Sequence, residues 1–311
     1  MVFRQLLIVA FLSLSLLQPN GCSANEPVQA DQNALAQPTP TPKPSNDPRK
    51  GDQNNMDLLE QKVLNKEPSS VNLAKQMGKS AVPVLTPLAT NADSDVRSIA
   101  LSCLAFTGGD DVADIFIDGL KDESPSVSVE ASRGLQRYLS PAIYQKLLDV
   151  YDEIKDPARR KDVALMLGKI DDANINDLKK KDEEEKDAEA KEGLMVASAK
   201  LGDAKARDEF LRRLSGAKDQ ELKRFLDYVE YIQKTWAIKG LSPVLGDKSE
   251  IVRIGVDGLP DSGPEYLRGC DLAVNLIDKL LKPKFAFQVA GNRNYSDPEL
   301  QQVRSFLGTL R

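Results

Sequence analysis

The sequence predicts an all-α protein, an α-solenoid of about six stacked helix pairs, on the strength of two observations. From about residue 55 onward, apolar residues recur with the period of a helix. The spacing of Val96, Ala100 and Leu104 then returns three times, at offsets of 31, 32 and 34 residues. The returning positions are Val127, Ala131 and Leu135, then Val163 and Leu167, then Ala197 and Leu201. Helix pairs of this period cannot bury their apolar faces singly, so they stack.

The composition narrows the functional classes. The 311 residues include no histidine, which excludes His-based catalytic triads, histidine general bases and histidine-containing zinc sites. A net charge of −5 disfavours nucleic acid as a partner. No glycine-rich phosphate loop follows a strand, and no serine lies in a nucleophile elbow. We therefore expect neither an enzyme nor a cofactor.

Residues 1–21 are predicted to be a signal peptide. Arg4 supplies the positive start, and the apolar stretch from Leu6 to Leu17 follows it. A membrane-spanning helix needs about 20 apolar residues, so this stretch is too short to span a membrane stably. A positive start, a short apolar core and small residues afterwards are typical of a secretory signal.

The end of that signal predicts a lipid anchor. Gly21-Cys22 resembles the cleavage box of bacterial lipoproteins, which implies that Cys22 becomes the lipid-modified N-terminus. Pro19 departs from the box, which prefers an aliphatic side chain three residues before the cysteine, so ordinary cleavage after Ala24 stays open. Ser23 resembles the type sorted to the outer membrane. We expect an exported protein, periplasmic or anchored in the outer membrane, whose contact with the membrane is this anchor only.

Residues 22–51 are predicted to be a disordered, proline-rich linker. Six prolines and no aromatic residue lie between Ser23 and Lys50. Such a segment cannot bury enough apolar surface to offset its chain entropy, and the Pro-Thr alternation over 38–44 favours a semi-rigid polyproline II conformation. The composition therefore predicts a spacer between the lipid and the folded domain, or a plain disordered N-terminus.

The clearest repeat unit runs from Ser80 to Gly109. Residues 81–88 form a short apolar helix, with prolines in its first turn, and 91–95 form an acidic turn. A second helix over 96–106 then carries one apolar stripe of Val96, Ile99, Ala100, Cys103 and Leu104 before Gly108 ends it. Two later helices are predicted to end alike, at Leu167-Gly168 and Leu201-Gly202.

This unit resembles a HEAT-type repeat of the short bacterial form grouped with the phycobilisome-lyase HEAT-like repeats. The resemblance is carried by Pro83, the Asp93/Asp95 turn, Val96-Arg97, Ala100 and Leu104. It is good over 80–138, fair over 140–203 and 238–282, and weak over 204–237. It implies stacked helix pairs over a domain of residues 52–311, with the second helices lining a concave surface.

The C-terminal part is predicted to continue the stack. Ile251-Val252-Arg253 repeats the Val-Arg signature, and Ser242-Pro243, like Ser140-Pro141, places a cap before a first-turn proline. A long helix is predicted over 266–282, with an apolar stripe that runs from Leu267 to Leu281. Residues 284–289 are predicted to be an extended segment, and a capping box at Ser296 is predicted to start a final helix that ends at Leu310.

Three clusters have ordinary structural interpretations. Cys103 and Cys270 lie on apolar helix faces about five repeats apart, too far for a disulfide, which predicts buried thiols. The aspartates of the 93–95 turn and at positions 110, 111 and 114 lack the spacing of a calcium loop and are read as helix caps. The charged run 179–186 is read as a solvated helix with Lys181–Glu185 and Asp182–Lys186 pairs.

One set of cations is a candidate binding surface because its members flank the second helices of two adjacent repeats. They are Arg133, Arg137, Arg159, Arg160 and Lys161. A basic strip on a concave face would hold an acidic peptide or an anionic polymer. The alternative is ordinary surface pairing with Glu130, Asp156 and Asp162.

Together these observations predict an exported, lipid-anchored HEAT-like scaffold that binds another protein in the bacterial cell envelope. The resemblance leaves two alternatives open. One is an enzyme of the HEAT-like lyase type, an activity that maps onto no particular residue of this chain. The other is a structural envelope protein without a discrete ligand.

Overall fold

A computed structural model describes residues 48–109, 112–254 and 264–311. The predicted signal peptide, Cys22 and most of the predicted linker lie outside the described residues, as do Asp110 and Asp111. The first helix begins at Pro48, so residues 48–51 of the predicted linker belong to a helix.

The described residues are mostly helical, as predicted, with fifteen α-helices and one two-stranded antiparallel sheet. The helices are α1 (Pro48–Leu64), α2 (Ser70–Met77), α3 (Val82–Leu88), α4 (Ser94–Leu104), α5 (Val112–Gly119), α6 (Pro125–Leu135), α7 (Tyr144–Glu153), α8 (Pro157–Leu167), α9 (Ile175–Glu184), α10 (Ala188–Leu201), α11 (Ala204–Gly216), α12 (Asp219–Ile232), α13 (Thr235–Lys239), α14 (Gly269–Leu281) and α15 (Asp297–Thr309). The strands are β1 (Glu250–Arg253) and β2 (Tyr266–Arg268). Short 3₁₀ turns lie at Gly78–Ala81, Pro141–Ile143 and Val244–Gly246.

The even-numbered helices from α2 to α12, here called the second helices, pack in chain order. α2 contacts α4, α4 contacts α6, α6 contacts α8, α8 contacts α10, and α10 contacts α12. Five sequence-adjacent pairs also pack within themselves: α1 with α2, α3 with α4, α5 with α6, α7 with α8, and α9 with α10. α12 then contacts α14, which carries the series into the C-terminal part.

The repeating positions form the core, as the sequence predicts. Val96, Ala100 and Leu104 are buried. Their counterparts Val127, Ala131, Leu135, Val163, Leu167 and Ala197 are buried as well, and Leu201 is partly buried. Two apolar clusters meet along α10, because Leu194 and Ala197 belong to the first while Val196 and Ala199 belong to the second.

Helix caps explain several of the acidic residues. The side chain of Asp93 accepts a hydrogen bond from the Asp95 backbone N–H at the start of α4, which confirms the capping interpretation for Asp93. Asp156, Asp187 and Asp203 cap α8, α10 and α11 in the same way. Among the described residues, no group of acidic or cysteine side chains is placed to hold a metal ion.

The C-terminal part departs from the predicted stack. Ser242-Pro243 leads into a 3₁₀ turn and not an α-helix, and Ile251-Val252-Arg253 lies in β1, so the predicted repeat there is wrong. β-branched side chains favour strands, and Val252 pairs with Leu267 of β2, while Ile251 lies at an irregularity in the register of β1. β2 also occupies 266–268, so the predicted long helix begins only at Gly269.

The remaining C-terminal predictions hold in outline. The final helix starts at the predicted capping box, in which Ser296 and Glu299 bond each other's backbone N–H groups. Residues 284–289 form neither helix nor strand, and Phe285 packs on Phe306 and Phe287 against the second cluster. Leu281 is exposed, so the predicted stripe of α14 stops before it.

Both cysteines in the described part of the chain are buried and unpaired, as predicted. Burial raises the pKa of the Cys270 thiol to about 11 and also raises that of Cys103, which keeps both in the unreactive thiol form. Within the described ranges, no helix has the length and hydrophobicity that a membrane span requires.

Candidate functional site

A row of cations lies at the C-terminal ends of the second helices. It consists of Lys75, Arg137, Lys169, Lys200 and Lys234, here called the cation row, with Phe106 taking the place of a cation on α4. Each of these six positions lies within two residues of the end of its helix, and successive positions are 31 to 34 residues apart. The partial negative charge at a helix C-terminus stabilises a cation there, which is why the row is compatible with folding.

Two aromatic rings connect neighbouring members of the row. The guanidinium carbon of Arg137 lies 4.5 Å from the centre of the Phe106 ring, and Lys75 Nζ lies 6.0 Å from it. Lys200 Nζ and Lys169 Nζ lie 5.0 Å and 5.7 Å from the centre of the Tyr231 ring. Cation–π contacts of this kind place cations beside apolar surface without neutralising them.

The row has no carboxylate partners among the described residues, since none of its five cations forms an ion pair there. Lys169 donates to the Gln136 side chain at 2.7 Å, and Lys200 donates to the backbone carbonyl oxygen of Tyr231 at 2.9 Å. Desolvation lowers the pKa of Lys200, and the positive charges of Lys234 and Lys169 lower it further. The row therefore carries uncompensated positive charge.

An open groove of about 260 Å³ lies beside the row, between α6 and α8. Its lining is Val129, Ser132, Arg133, Gln136, Arg159, Asp162, Leu165, Lys169 and Tyr231. Burial raises the pKa of Asp162, although the charges of Arg159 and Lys161 oppose that shift. Of the three cations in its wall, Arg133 and Arg159 pair with Glu130 and Asp162, and Lys169 has no ion pair among the described residues.

The predicted basic strip is divided by the structure. Arg133 and Arg159 line the groove, where Arg133 pairs with Glu130 and Arg159 with Asp162. Arg137 lies in the cation row on Phe106. The surface pairing that the sequence left as an alternative is therefore present for Arg133 and Arg159.

Arg160 and Lys161 are engaged elsewhere. The Arg160 guanidinium bonds both oxygens of Glu185, at 2.7 and 3.1 Å, and the backbone carbonyl oxygens of Ile154 and Lys155. Lys161 forms an ion pair with Glu189. Arg160 therefore joins its own repeat to the turn before α10, and its donors are occupied.

The same clip occurs two repeats earlier. Arg97 bonds both carboxylate oxygens of Asp122 at 2.8 Å and the backbone carbonyl oxygens of Asn91 and Ala92. In both clips the carboxylate lies 25 residues after the arginine and accepts a backbone N–H of the next turn. Arg97 of the Val-Arg signature and Arg160 at the equivalent position of α8 thus form an inter-repeat tie that sequence reasoning missed.

The charged run 179–186 ties adjacent helices together instead of forming pairs along one helix. Lys179 pairs with Asp203, and Lys181 pairs with Asp152. Glu185 lies beyond the end of α9 and pairs with Arg160, not with Lys181. Its side chain is only 7% exposed, so the prediction of a solvated Glu185 paired with Lys181 is wrong. Among the described residues, Asp182 and Lys186 form no ion pair, so that predicted pair is wrong as well.

A second, larger groove of about 620 Å³ lies where α9, α10 and α11 meet. At its base the buried Glu192 carboxylate accepts bonds from Arg213, Arg224 and the Tyr228 hydroxyl. Burial alone would raise the pKa of Glu192, but these donors lower it overall. Four cations and five carboxylates line this groove, so it lacks the single sign of charge that distinguishes the cation row.

Sequence reasoning found one member of the row, Arg137, and missed the four lysines. The signal was present, because the same interval of 31 to 34 residues that relates the core positions also relates the lysines. A comparison with protein-family models found no match, and a comparison with curated proteins found none either.

Proposed function

We propose that this protein is an exported, lipid-anchored HEAT-like α-solenoid that acts as a scaffold and binds another protein in the bacterial cell envelope. The observation that carries the proposal is the cation row. Five cations stand at equivalent positions along the second helices without a carboxylate partner among the described residues. A row of like charge without carboxylate partners offers a complementary surface to a partner of opposite charge.

Two features support the solenoid arrangement. The second helices contact each other in chain order, as expected when each repeat packs only on its neighbours. The clips made by Arg97 and Arg160 occupy the same place in their repeats, so the inter-repeat contact itself recurs. The HEAT-like assignment rests on these recurring contacts and on the sequence signature.

The anchor is tested at Cys22. In wild-type cells grown with a fatty-acid analogue, we expect label on the protein and recovery in the membrane fraction, because several buried acyl chains bind a bilayer firmly. Cys22→Ser should lose the label and leave the protein either soluble or uncleaved. Cys103→Ser is the control: this variant should keep the label, because Cys103 is buried and is not the predicted site of lipid attachment. An unlabelled wild type with a mature N-terminus at Asn25 would contradict the anchor.

Partner binding is tested by neutralising the centre of the row. The full chain is purified from envelope in mild detergent as wild type, as Lys169→Gln/Lys200→Gln, and as the control Lys155→Gln/Lys180→Gln, whose lysines are exposed and lie outside the row. We expect a second protein to co-purify in stoichiometric amount with the wild type and with the control variant. We expect that protein to be absent from the row variant, whose thermal stability should equal that of the wild type. Recovery of the same co-purifying proteins with all three chains would contradict the scaffold. Recovery of the wild-type chain without any second protein would also contradict it and would favour a structural envelope protein.

A further inference from the structure

We infer that the groove where α9, α10 and α11 meet binds a free α-amino acid with an apolar side chain. This inference goes beyond the proposed scaffold function, because it uses no member of the cation row. Three features of the described residues in the groove wall carry it: a buried hydroxyl without a partner, charges of both signs without ion pairs, and an apolar floor.

Ser198 supplies the first feature. The residue lines the groove and is only 4% exposed, yet its hydroxyl forms no hydrogen bond within the described part of the chain. A serine in a helix commonly bonds a backbone carbonyl oxygen of the preceding turn, and this one does not. Its oxygen is open to the groove. Because a hydroxyl both donates and accepts, a molecule that enters the groove can supply the missing bond.

The charges are the second feature. Asp182 on α9, Lys191 on α10 and Lys205 on α11 line the groove, and none of them forms an ion pair among the described residues. Burial raises the pKa of Asp182, although the charges of Lys191 and Lys205 oppose that shift and the charge of Glu183 adds to it. These four charges therefore act on one another. The other ionised side chains in the wall are paired, in the ion pairs Lys179–Asp203, Arg213–Glu192 and Arg212–Glu209.

A zwitterion suits this arrangement. The α-ammonium and α-carboxylate of an amino acid are attached to one carbon atom, so they need a carboxylate and a cation that lie close together. Asp182 can accept from the ammonium, while Lys191 or Lys205 can donate to the carboxylate. A ligand with a single sign of charge would satisfy only half of this set.

The apolar floor and the size of the groove are the third feature. Met195 on α10 and Ala206 on α11 are half-buried and line it. Lys191, Met195 and Ser198 share one face of α10, because they are spaced by four and three residues. The volume of about 620 Å³ is typical of small-molecule sites, in which apolar surface is combined with a few polar groups. An apolar ligand side chain is therefore favoured, since it leaves water for this floor.

The test is isothermal titration calorimetry of the full chain with L-leucine. Two capped derivatives, N-acetyl-L-leucine and L-leucinamide, each lack one of its two charges. We expect L-leucine to bind with a Kd below about 1 mM. Each capped derivative should bind at least about tenfold more weakly, and L-serine, which has little apolar surface, at least about fivefold more weakly.

Variants of the groove wall locate the binding. Asp182→Asn should weaken binding of L-leucine at least about tenfold, and Ser198→Ala should weaken it about two- to tenfold. Neither side chain has a partner to lose among the described residues, so both variants should melt like the wild type. Glu184→Gln is the matched control, because Glu184 is exposed on α9 and does not line the groove.

Absence of L-leucine binding would overturn the inference. Equal binding of either capped derivative would overturn the zwitterion, and tighter binding of the dipeptide Leu-Leu would replace the amino acid by a peptide. Unchanged affinity in both Asp182→Asn and Ser198→Ala would place the binding outside this groove. Lys169→Gln/Lys200→Gln should bind L-leucine like the wild type, so the inference and the scaffold can fail separately.

Discussion

Arg160 and Arg133 show that two arginines of one predicted strip can have opposite roles. The Arg160 side chain is 16% exposed and joins two repeats through Glu185, whereas the Arg133 side chain is 69% exposed and pairs within its own helix with Glu130. The sequence predicts the same surface role for both arginines. It does not indicate the ion pair of Arg160, because Glu185 lies on a different repeat. The difference depends on tertiary contacts that no local pattern reports.

Replacing the two arginines should separate these roles. Arg160→Ala leaves Glu185 without its cation at 7% exposure, and breaking such a pair should cost about 2–4 kcal/mol of unfolding free energy. Arg133→Ala removes an exposed pair and should cost less than about 1 kcal/mol. Urea denaturation measures both, and equal losses would show that the clip has no special role in stability.

Glu185 should make stability depend on acid. Burial would raise its pKa, but bonds from Arg160, the Asp187 N–H and Tyr151 lower it from 4.5 to about 2. Because the pKa is lower in the folded state, the carboxylate stabilises the fold above pH 4.5, and this contribution is lost as pH falls from 4.5 towards 2. The shift corresponds to about 3 kcal/mol.

The check compares unfolding free energies of wild type and Glu185→Gln between pH 6 and pH 2.5, with Glu184→Gln as control. Glu184 is exposed and precedes Glu185 at the end of α9. We expect the gap between wild type and Glu185→Gln to narrow as the pH falls, and Glu184→Gln to follow wild type. A gap that stays constant would exclude Glu185 as the source of the acid sensitivity.

At the scale of elements, two glycines that follow the same sequence pattern end their helices differently. Gly202 has φ 107° and forms a left-handed cap with open space around its Cα. Gly168 has φ −71°, and a Cβ there would meet the Tyr231 hydroxyl and lie 2.8 Å from Ala197 Cβ. The prediction that the two helices end alike is correct for position but wrong for conformation.

Asparagine should distinguish the two glycines, because it tolerates the left-handed region but needs room for a side chain. Gly202→Asn should lower stability by less than about 1 kcal/mol. Gly168→Asn should cost about 1–3 kcal/mol through overpacking against α10 and α12. Thermal melts of the two variants test this expectation. A larger loss of stability in Gly202→Asn than in Gly168→Asn would mean that the two caps have been assigned to the wrong glycines.

The elements that were predicted well share one property. The helices from α3 to α8 carry their apolar stripe within a single element, so Val96, Ala100 and Leu104 identify their core face without tertiary information. The helix predicted at Ile251-Val252 is wrong because a short apolar run fits a helix or a strand equally well. Only the pairing of β1 with β2 decides that this segment is a strand. Four of the five cations in the row were missed because helix-end lysines look like ordinary surface residues until their helices are stacked.

At the scale of the whole molecule, two apolar clusters share α10. The first runs from Leu59 to Ala197 and the second from Val196 to Leu307. In a stack whose repeats contact only their neighbours, damage in the first cluster should spread locally and leave the second cluster intact. A domain with one cooperative core would lose both together.

Hydrogen exchange of Leu104→Asp tests this central claim, the serial stack of helix pairs, most directly. Leu104 is fully buried in α4 within the first cluster, whereas Phe106, two residues further on, is 38% exposed, so Phe106→Asp is the matched control. An unpaired buried charge costs several kcal/mol. We predict loss of amide protection in α3, α4 and α6, retained protection in α12 and α14, and wild-type protection throughout Phe106→Asp. Loss of protection in all of these helices together in Leu104→Asp would contradict the stack.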